Sequence, residues 1–170
     1  MFVIGIIVIC VIGTLLHFVY ELSHHNKVVA IFAAVNESVW EHLKLLFFPM
    51  LITIIIGIFY TNKRVPNFIC AKTIGTIAAM LFTVTFFYTY TGVLGKNISV
   101  IDISSFFIAT ILGEFIGYIY IINNFRCNKK LAIAVLVVLA FCFAIFTFRT
   151  PNIGIFKDPI TNQYGIINKI

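Results

Sequence analysis

Long apolar runs separated by short polar stretches make up most of the chain. A bilayer core about 30 Å thick needs about 20 apolar residues at a rise of about 1.5 Å per residue, so runs of that length predict transmembrane helices. Five runs qualify, at residues 2–22, 38–60, 72–92, 101–122 and 131–148. The pattern therefore predicts an all-α fold, a polytopic membrane helical bundle with about five transmembrane helices.

An additional apolar stretch lies between the first two runs, at residues 28–35. It is too short to cross a bilayer, and we expect a re-entrant or interfacial half-helix there. Ser38 and Glu41 then fit a capping box, in which both side chains satisfy backbone amides at the start of a helix. We therefore expect residues 28–60 to form two pieces, with a break near Asn36.

No linker or low-complexity segment divides the chain, so we predict one transmembrane domain at residues 1–148. The remaining residues, 149–170, contain prolines, asparagines and a glycine at positions that favour turns. We expect this C-terminal tail to be an ordered loop or a short hairpin rather than another helix.

The composition supports a membrane protein, because 61% of the residues are hydrophobic and 11% are charged, whereas soluble domains are about half apolar and a quarter charged. The net charge of +6 comes from Lys and Arg residues spread between the apolar runs. We therefore expect the lipid bilayer as a partner and no nucleic acid. The four cysteines form no C-x-x-C pair, so nothing requires a disulfide.

Basic residues near the ends of the spans indicate the orientation. If the N-terminus is inside, six such residues are cytoplasmic: Lys63, Arg64, Lys72, Arg126, Lys129 and Lys130. Five lie near the opposite face: Lys27, Lys44, Lys96, Arg149 and Lys157. The excess predicts an inside N-terminus and an outside C-terminus.

Small residues recur at helical spacing in the third and fourth spans. Such ridges allow helix backbones to approach closely in a membrane, where no hydrophobic force drives helices together. They could pack within one chain or form a homo-oligomer. The two ridges are Ala71, Gly75 and Ala79, and Ala109, Gly113 and Gly117.

Ionisable side chains in or beside membrane spans are costly, by about 2.5–3.5 kcal/mol at mid-span on insertion scales, so each calls for a partner or a function. His17 and Glu21 share a face of the first helix because they are four residues apart. Glu114 lies near the middle of the fourth span. The candidate polar site comprises His17, Glu21, Glu37, Glu41, His42, Lys44 and Glu114.

All of these candidates except Glu114 reach one membrane surface, and Asp102 and the tail arrive at the same surface. Glu37 and Glu41 are four residues apart at the start of the second helix, so we expect them to share a face with Lys44. They repel each other unless a proton, a cation, a metal or Lys44 lies between them. Imidazole and carboxylate groups suit zinc. A metal would be held by His17, Glu21, Glu41 and His42. There is no H-E-x-x-H motif, so we predict no cofactor.

Each candidate also has a structural explanation. Residues 36–44 fit a helix start with a cap, acids at the positive end of the dipole and an interfacial tryptophan. His17 and Glu21 fit a hydrogen-bonded pair that joins two helices, and Glu114 fits a neutral carboxyl bonded to the third span. Polar residues of that span could line a cavity or bond to their own backbone: Thr83, Thr85, Tyr88, Thr89, Tyr90 and Thr91.

Several strings resemble an uncharacterised family of small bacterial integral membrane proteins. They are Gly13-Thr14-Leu15-Leu16-His17-Phe18, Asn36-Glu37-Ser38-Val39-Trp40-Glu41-His42-Leu43-Lys44, Phe47-Phe48-Pro49, Phe156-Lys157-Asp158-Pro159 and Tyr164-Gly165. The resemblance covers nearly the whole chain. It implies a multi-pass protein of the bacterial cytoplasmic membrane and supplies no activity.

Three functions are compatible with these features. Our leading hypothesis is a non-enzymatic transport or permeation element, or an accessory subunit, that binds a cation, a proton or a small ligand at the polar site. The alternative is an intramembrane metal-dependent enzyme that acts on a lipid or a peptide. The third is a structural scaffold without a site.

Overall fold

The computed structural model describes residues 2–61, 65–126 and 128–166, which form six α-helices and a short 3₁₀ helix. Five of the helices are long and apolar enough to cross a membrane. The predicted all-helical bundle is confirmed. The helices are α1 (Phe2–Leu22), α2 (Lys27–Ala30), α3 (Val39–Thr61), α4 (Phe68–Leu94), α5 (Ser99–Ile122) and α6 (Lys129–Phe148), and the 3₁₀ helix is Gly154–Phe156.

The third long helix, α4, begins earlier than its sequence pattern indicates. Its first residue is Phe68, whereas the apolar run suggests a start near Lys72. Lys72 therefore lies in the second turn of the helix, and its ammonium group pairs with Glu114 of α5. In a sequence, a lysine at the edge of an apolar run is typical of a loop. The partner that allows Lys72 to lie within the helix is on another helix and cannot be recognised from the local pattern.

The apolar stretch after α1 is less helical than expected. Only Lys27–Ala30 is helical, with the Asn26 side chain accepting a 2.8 Å hydrogen bond from the amide of Val28. The following residues, 31–38, form turns and bends, and Ala30 and Ala33 are fully buried. The predicted half-helix is thus a single turn followed by an irregular buried segment. Residues 28–60 do form two helical pieces.

The start of α3 carries half of the predicted capping box. The Ser38 hydroxyl accepts a 3.3 Å hydrogen bond from the amide of Glu41. The amide of Ser38, however, donates to the side chain of Asn36 at 2.8 Å. The Glu41 carboxylate therefore does not cap the start of α3, and it forms hydrogen bonds with other groups.

The two ridges of small residues pack against each other within one chain, between α4 and α5. A Cβ atom on Gly75 would lie 2.3 Å from the carbonyl oxygen of Gly113, and one on Gly113 would lie 2.6 Å from that of Gly75. Both distances are far below van der Waals contact, so these positions admit only glycine without separation of the helices. A homo-oligomer, the other possibility for these ridges, would have to use other surfaces.

The bundle core lies around α3, which contacts α1, α4 and α6. A compact apolar cluster joins α1, α3, α4 and α5 at the centre of the bundle. It consists of Ile9, Leu46, Met50, Ala79 and Ala109. This cluster separates the two ends of the bundle, one of which carries most of the candidate site.

The described part of the tail, 149–166, folds back onto that end. Lys157 and Tyr164 form an antiparallel bridge, and the Asp158 carboxylate accepts hydrogen bonds from the amides of Ile160 and Thr161 at 2.7 and 3.0 Å. The Asn36 side chain donates to the carbonyl of Gly165 at 2.8 Å. The tail is therefore a short hairpin held against the segment before α3.

Candidate functional site

Two histidines and a glutamate converge where α1 ends and α3 begins. The Nε2 atoms of His17 and His42 each lie 3.5 Å from Oε2 of Glu37. One nitrogen or oxygen atom from each residue lies within 4.8 Å of the other two, an arrangement that could hold a metal ion. We call these three residues the His–Glu–His group.

The ring of His42 is fixed in a definite tautomer. Its Nδ1 atom lies 3.0 Å from the carbonyl oxygen of Ser38. Because a carbonyl oxygen only accepts hydrogen bonds, Nδ1 carries the hydrogen, and the lone pair of the neutral ring is on Nε2. A backbone carbonyl that orients an imidazole in this way is typical of metal-binding histidines.

Glu37 faces the histidines because it precedes the first turn of α3. The helix begins at Val39, so Glu37 and Glu41 are not on one helix face and the predicted repulsion does not arise. The amide of Glu37 donates to Oδ2 of Asp158 at 3.3 Å. Asp158 is only 2% exposed, so the tail hairpin holds the backbone that carries the Glu37 carboxylate.

The two His–Glu distances in the group suit tetrahedral coordination. Metal–ligand distances of about 2.0–2.1 Å at a tetrahedral centre place neighbouring ligand atoms about 3.3–3.4 Å apart. Both His–Glu distances in the group are 3.5 Å. The side chains of His17, Glu37 and His42 are 32%, 40% and 30% exposed, which leaves room for a fourth, non-protein ligand.

Glu41 and Lys44 form a separate buried ion pair. The Lys44 ammonium group lies 2.5 Å from Oε2 of Glu41, and it donates to the carbonyl of Ala30 at 2.8 Å and to the hydroxyl of Thr147 at 2.9 Å. The Glu41 carboxylate also accepts from the amide of Val35 at 3.0 Å. All three ammonium hydrogens of Lys44 are thus used. This pair fastens the irregular segment to α3 and α6.

The structure groups the candidate residues differently from the predicted metal set. His17 and His42 come together as expected, but Glu41 pairs with Lys44, and Glu21 is exposed and is not in the His–Glu–His group. Glu37 lies beside the two histidines instead. The sequence identifies Glu37 as a candidate of the polar site. The direction of its side chain depends on the residue at which α3 begins.

Glu114 belongs to the other end of the bundle. Its two carboxylate oxygens lie 2.6 and 2.5 Å from the ammonium group of Lys72. A Cβ atom on Gly5 of α1 would lie 2.8 Å from Oε2 of Glu114. The structural explanation of Glu114 was a neutral carboxyl bonded to a hydroxyl or a carbonyl. The structure instead shows an ion pair with Lys72, which packs against α1.

A cavity of about 430 Å³ adjoins the His–Glu–His group. Its walls come from α1, α3, α4, α5 and the tail. Asp102, whose approach to this surface the sequence predicted, lies at the polar end and accepts hydrogen bonds from Tyr90 and, at 2.8 Å, from Asn97. The other walls include Gly13, Leu46, Thr83, Phe87, Phe106, Phe107 and Ile160.

The threonines of α4 contribute little polarity to this cavity. Thr83 lines it, but its hydroxyl donates to the carbonyl of Ala79 at 3.0 Å. The hydroxyls of Thr89 and Thr91 likewise bond to their own helix, at 2.6 and 2.7 Å. The explanation that these hydroxyls bond to the backbone of their own helix is therefore correct for Thr83, Thr89 and Thr91.

Comparison with known proteins assigns a family but no activity. A family model described as "Family of unknown function (DUF6512)" matches residues 1–166. No curated protein and no solved structure is significantly similar to the chain. The resemblance to an uncharacterised family, noted from the sequence, is thereby confirmed.

Proposed function

The chain belongs to this family of unknown function, and we propose that it is a metal-dependent membrane enzyme. His17, Glu37 and His42 bind one divalent metal ion beside the cavity. The observation that carries the proposal is the convergence of three ligand atoms, within 4.8 Å of one another, at the wall of a cavity of about 430 Å³. The alternative hypothesis from the sequence thus replaces the leading one, with Glu37 as the third ligand.

Zinc fits the ligand set best. Two imidazoles and one carboxylate, with a fourth position left for water, are the ligands of many catalytic zinc sites, whereas structural sites are closed by four protein ligands. A bound zinc ion lowers the pKa of its water to about 7 and polarises a neighbouring carbonyl or phosphoryl oxygen. This combination supports hydrolysis.

The proposed reaction is hydrolytic cleavage of an ester or phosphoester. A zinc ion held by His17, Glu37 and His42 would activate a water molecule. The oxygen of that water would form a bond to the carbonyl carbon or the phosphorus, and the bond from that atom to the leaving oxygen would break. One proton of the water passes to the leaving oxygen, which departs as an alcohol. Water is the only co-reactant, and the exposed side of the His–Glu–His group admits it.

The transport hypothesis has less support from the described part of the chain. The cavity walls come from the end of α1, the start of α3, the second half of α4 and the start of α5. The apolar cluster that includes Ile9, Met50 and Ala79 lies below them. The described residues that line the cavity thus lie at one end of the bundle, whereas a transport pathway must connect both ends.

The metal content of the purified protein tests the proposal. Wild-type protein loaded with zinc and freed of excess metal should contain about one ion per chain, because three ligands and a water complete a tetrahedral site. His17→Ala, Glu37→Gln and His42→Ala should each lose most of it.

His24→Asn is the matched control. His24 is an exposed histidine with a φ of 53°, a conformation that asparagine tolerates. It should retain the metal of the wild type. Equal metal in the control and in the three ligand variants, or none in the wild type, would rule out the proposed site.

A further inference from the structure

We infer that the cavity binds a single-chain amphipathic lipid, which enters from the bilayer between α1 and α5. The ester or phosphate group of the lipid lies beside the His–Glu–His group, and its hydrocarbon chain lies among Phe87, Phe106 and Phe107. This inference rests on the proposed function and names the substrate class of the same site.

The charged and ionisable lining residues are concentrated at the outer end of the cavity, and most of the deeper lining residues are apolar. On α1, His17 is followed one turn deeper by Gly13, and on α3, His42 is followed by Leu46. Asn97 just before α5, and Ser99 and Asp102 at its start, give way to Phe106 and Phe107. One polar end and one apolar end match an amphipathic molecule.

The apolar part of the cavity is continuous with the surface that faces lipid. Phe18 on α1 and Ile103 and Phe107 on α5 line the cavity and are also 54%, 59% and 40% exposed. On a helix that crosses a membrane, exposed apolar side chains at this depth contact hydrocarbon chains. A lipid can therefore enter sideways, between α1 and α5, without leaving the bilayer.

The walls suit a lipid better than a peptide. An extended peptide carries backbone amides and carbonyls that need partners when they are buried. At the deep end, the hydroxyls of Thr83 and Ser105 already donate to the carbonyls of Ala79 and Asp102, at 3.0 and 2.7 Å. A hydrocarbon chain makes no such demand, and the volume of about 430 Å³ suits one small ligand.

Electron paramagnetic resonance with a lysophospholipid that carries a nitroxide on its chain tests the inference. The probe, added at less than one molecule per protein in nanodiscs, should show an immobilised component with metal-free wild-type protein, which lacks the zinc needed to hydrolyse it. Ile103→Trp fills the cavity mouth and should lower the immobilised fraction about tenfold, because a filled site excludes the chain.

Ile111→Trp is the matched control. Ile111 lies on the same helix, is 50% exposed and is not among the cavity residues, so this variant should behave as the wild type. Equal immobilisation in both tryptophan variants, or none in the wild type, would overturn the lipid inference. Displacement of the probe by an apolar peptide, but not by unlabelled lysophospholipid, would overturn it in favour of a peptide.

Two unlabelled competitors distinguish the headgroup chemistry. A monoacylglycerol offers only an ester and an alkyl phosphate only a phosphate, and displacement by either supports the inference. Displacement by neither would overturn it. A protein that binds zinc but immobilises no lipid would contradict only this inference, whereas lipid binding without any zinc site would contradict the proposed function.

Discussion

Lys44 connects three parts of the bundle through one ammonium group. It lies on α3, is fully buried, and donates to Glu41, to α2 at Ala30 and to α6 at Thr147. Its removal would leave the Glu41 carboxylate buried without a counter-charge. A buried charge that loses its partner costs far more than an exposed pair contributes.

Lys44→Met should therefore lower the free energy of unfolding by about 3–5 kcal/mol. Thermal unfolding in detergent would measure the loss. Lys96→Met, which removes an exposed lysine, is the control and should change stability little. Adding Glu41→Gln to Lys44→Met should recover part of the loss, and an unchanged Lys44→Met variant would contradict the importance of this pair.

Asp158 holds the backbone of Glu37 and is not one of the proposed metal ligands. It accepts from the amide of Glu37 and from two amides of the tail turn. Asp158→Ala should weaken zinc binding about 10–100-fold, the usual effect of losing a group that orients a metal ligand, while one zinc per chain still binds at saturation. Competition with a zinc chelator would measure the affinity.

Gln163→Ala is the control for Asp158. Gln163 is exposed, and it contacts Asp158 through its backbone carbonyl, which the substitution keeps. Asp158→Asn retains a carbonyl acceptor and should recover part of the affinity. A loss of stability without any change in zinc affinity in Asp158→Ala would show that the tail has only a structural role.

The interface between α4 and α5 depends on the absence of side chains. At Gly75 a Cβ atom would meet the Gly113 carbonyl oxygen at 2.3 Å, whereas at Gly92 of the same helix nothing lies within 4 Å. Gly75→Ala must push two backbones apart and should destabilise the bundle, by about 1–3 kcal/mol as for other overpacked cores. Thermal unfolding compares the variants.

Gly92→Ala is the matched control on α4. Alanine is a better helix former than glycine by about 0.5–1 kcal/mol, so this variant should be as stable as the wild type or slightly more stable. Equal stability of the two variants would contradict the close packing of α4 against α5.

The long helices could be predicted from sequence because apolar length alone identifies a membrane span. Their partners could not. Lys44 bonds to Thr147, and Glu37 to Asp158, across more than 100 residues of chain. The grouping of His17 and His42 with Glu37 rather than Glu41 could not be predicted for a local reason, because the start of α3 at Val39 decides which of the two glutamates lies beside His42.

At the scale of the whole molecule, the two ends of the bundle differ. One end carries the His–Glu–His group, the cavity and the tail, and the other carries the Lys72–Glu114 pair and Cys70, which is disulfide-bonded. The sequence did not require a disulfide. Of the basic residues used to predict the orientation, Lys63 and Arg64 lie outside the described residues.

The excess of basic residues predicts an inside N-terminus and an outside C-terminus in the cytoplasmic membrane. Alkaline phosphatase fused after residue 170 should then be active, because this enzyme needs an oxidising compartment for its disulfides. Green fluorescent protein fused at the same point is the complementary control and should be dark. The reverse result would contradict the orientation predicted from the basic residues. It would agree with the disulfide at Cys70, because that end of the bundle would then face the oxidising side of the membrane.

Titration of metal-free protein with cobalt(II), followed by visible absorption, tests the metal site most directly. The spectrum reports the coordination geometry. Wild-type protein should show the intense bands of a four-coordinate ion that saturate at about one equivalent, as expected for three protein ligands and water. His17→Ala and Glu37→Gln should not show them. Bands that are absent from the wild type, or unchanged in both variants, would contradict a metal site formed by His17, Glu37 and His42.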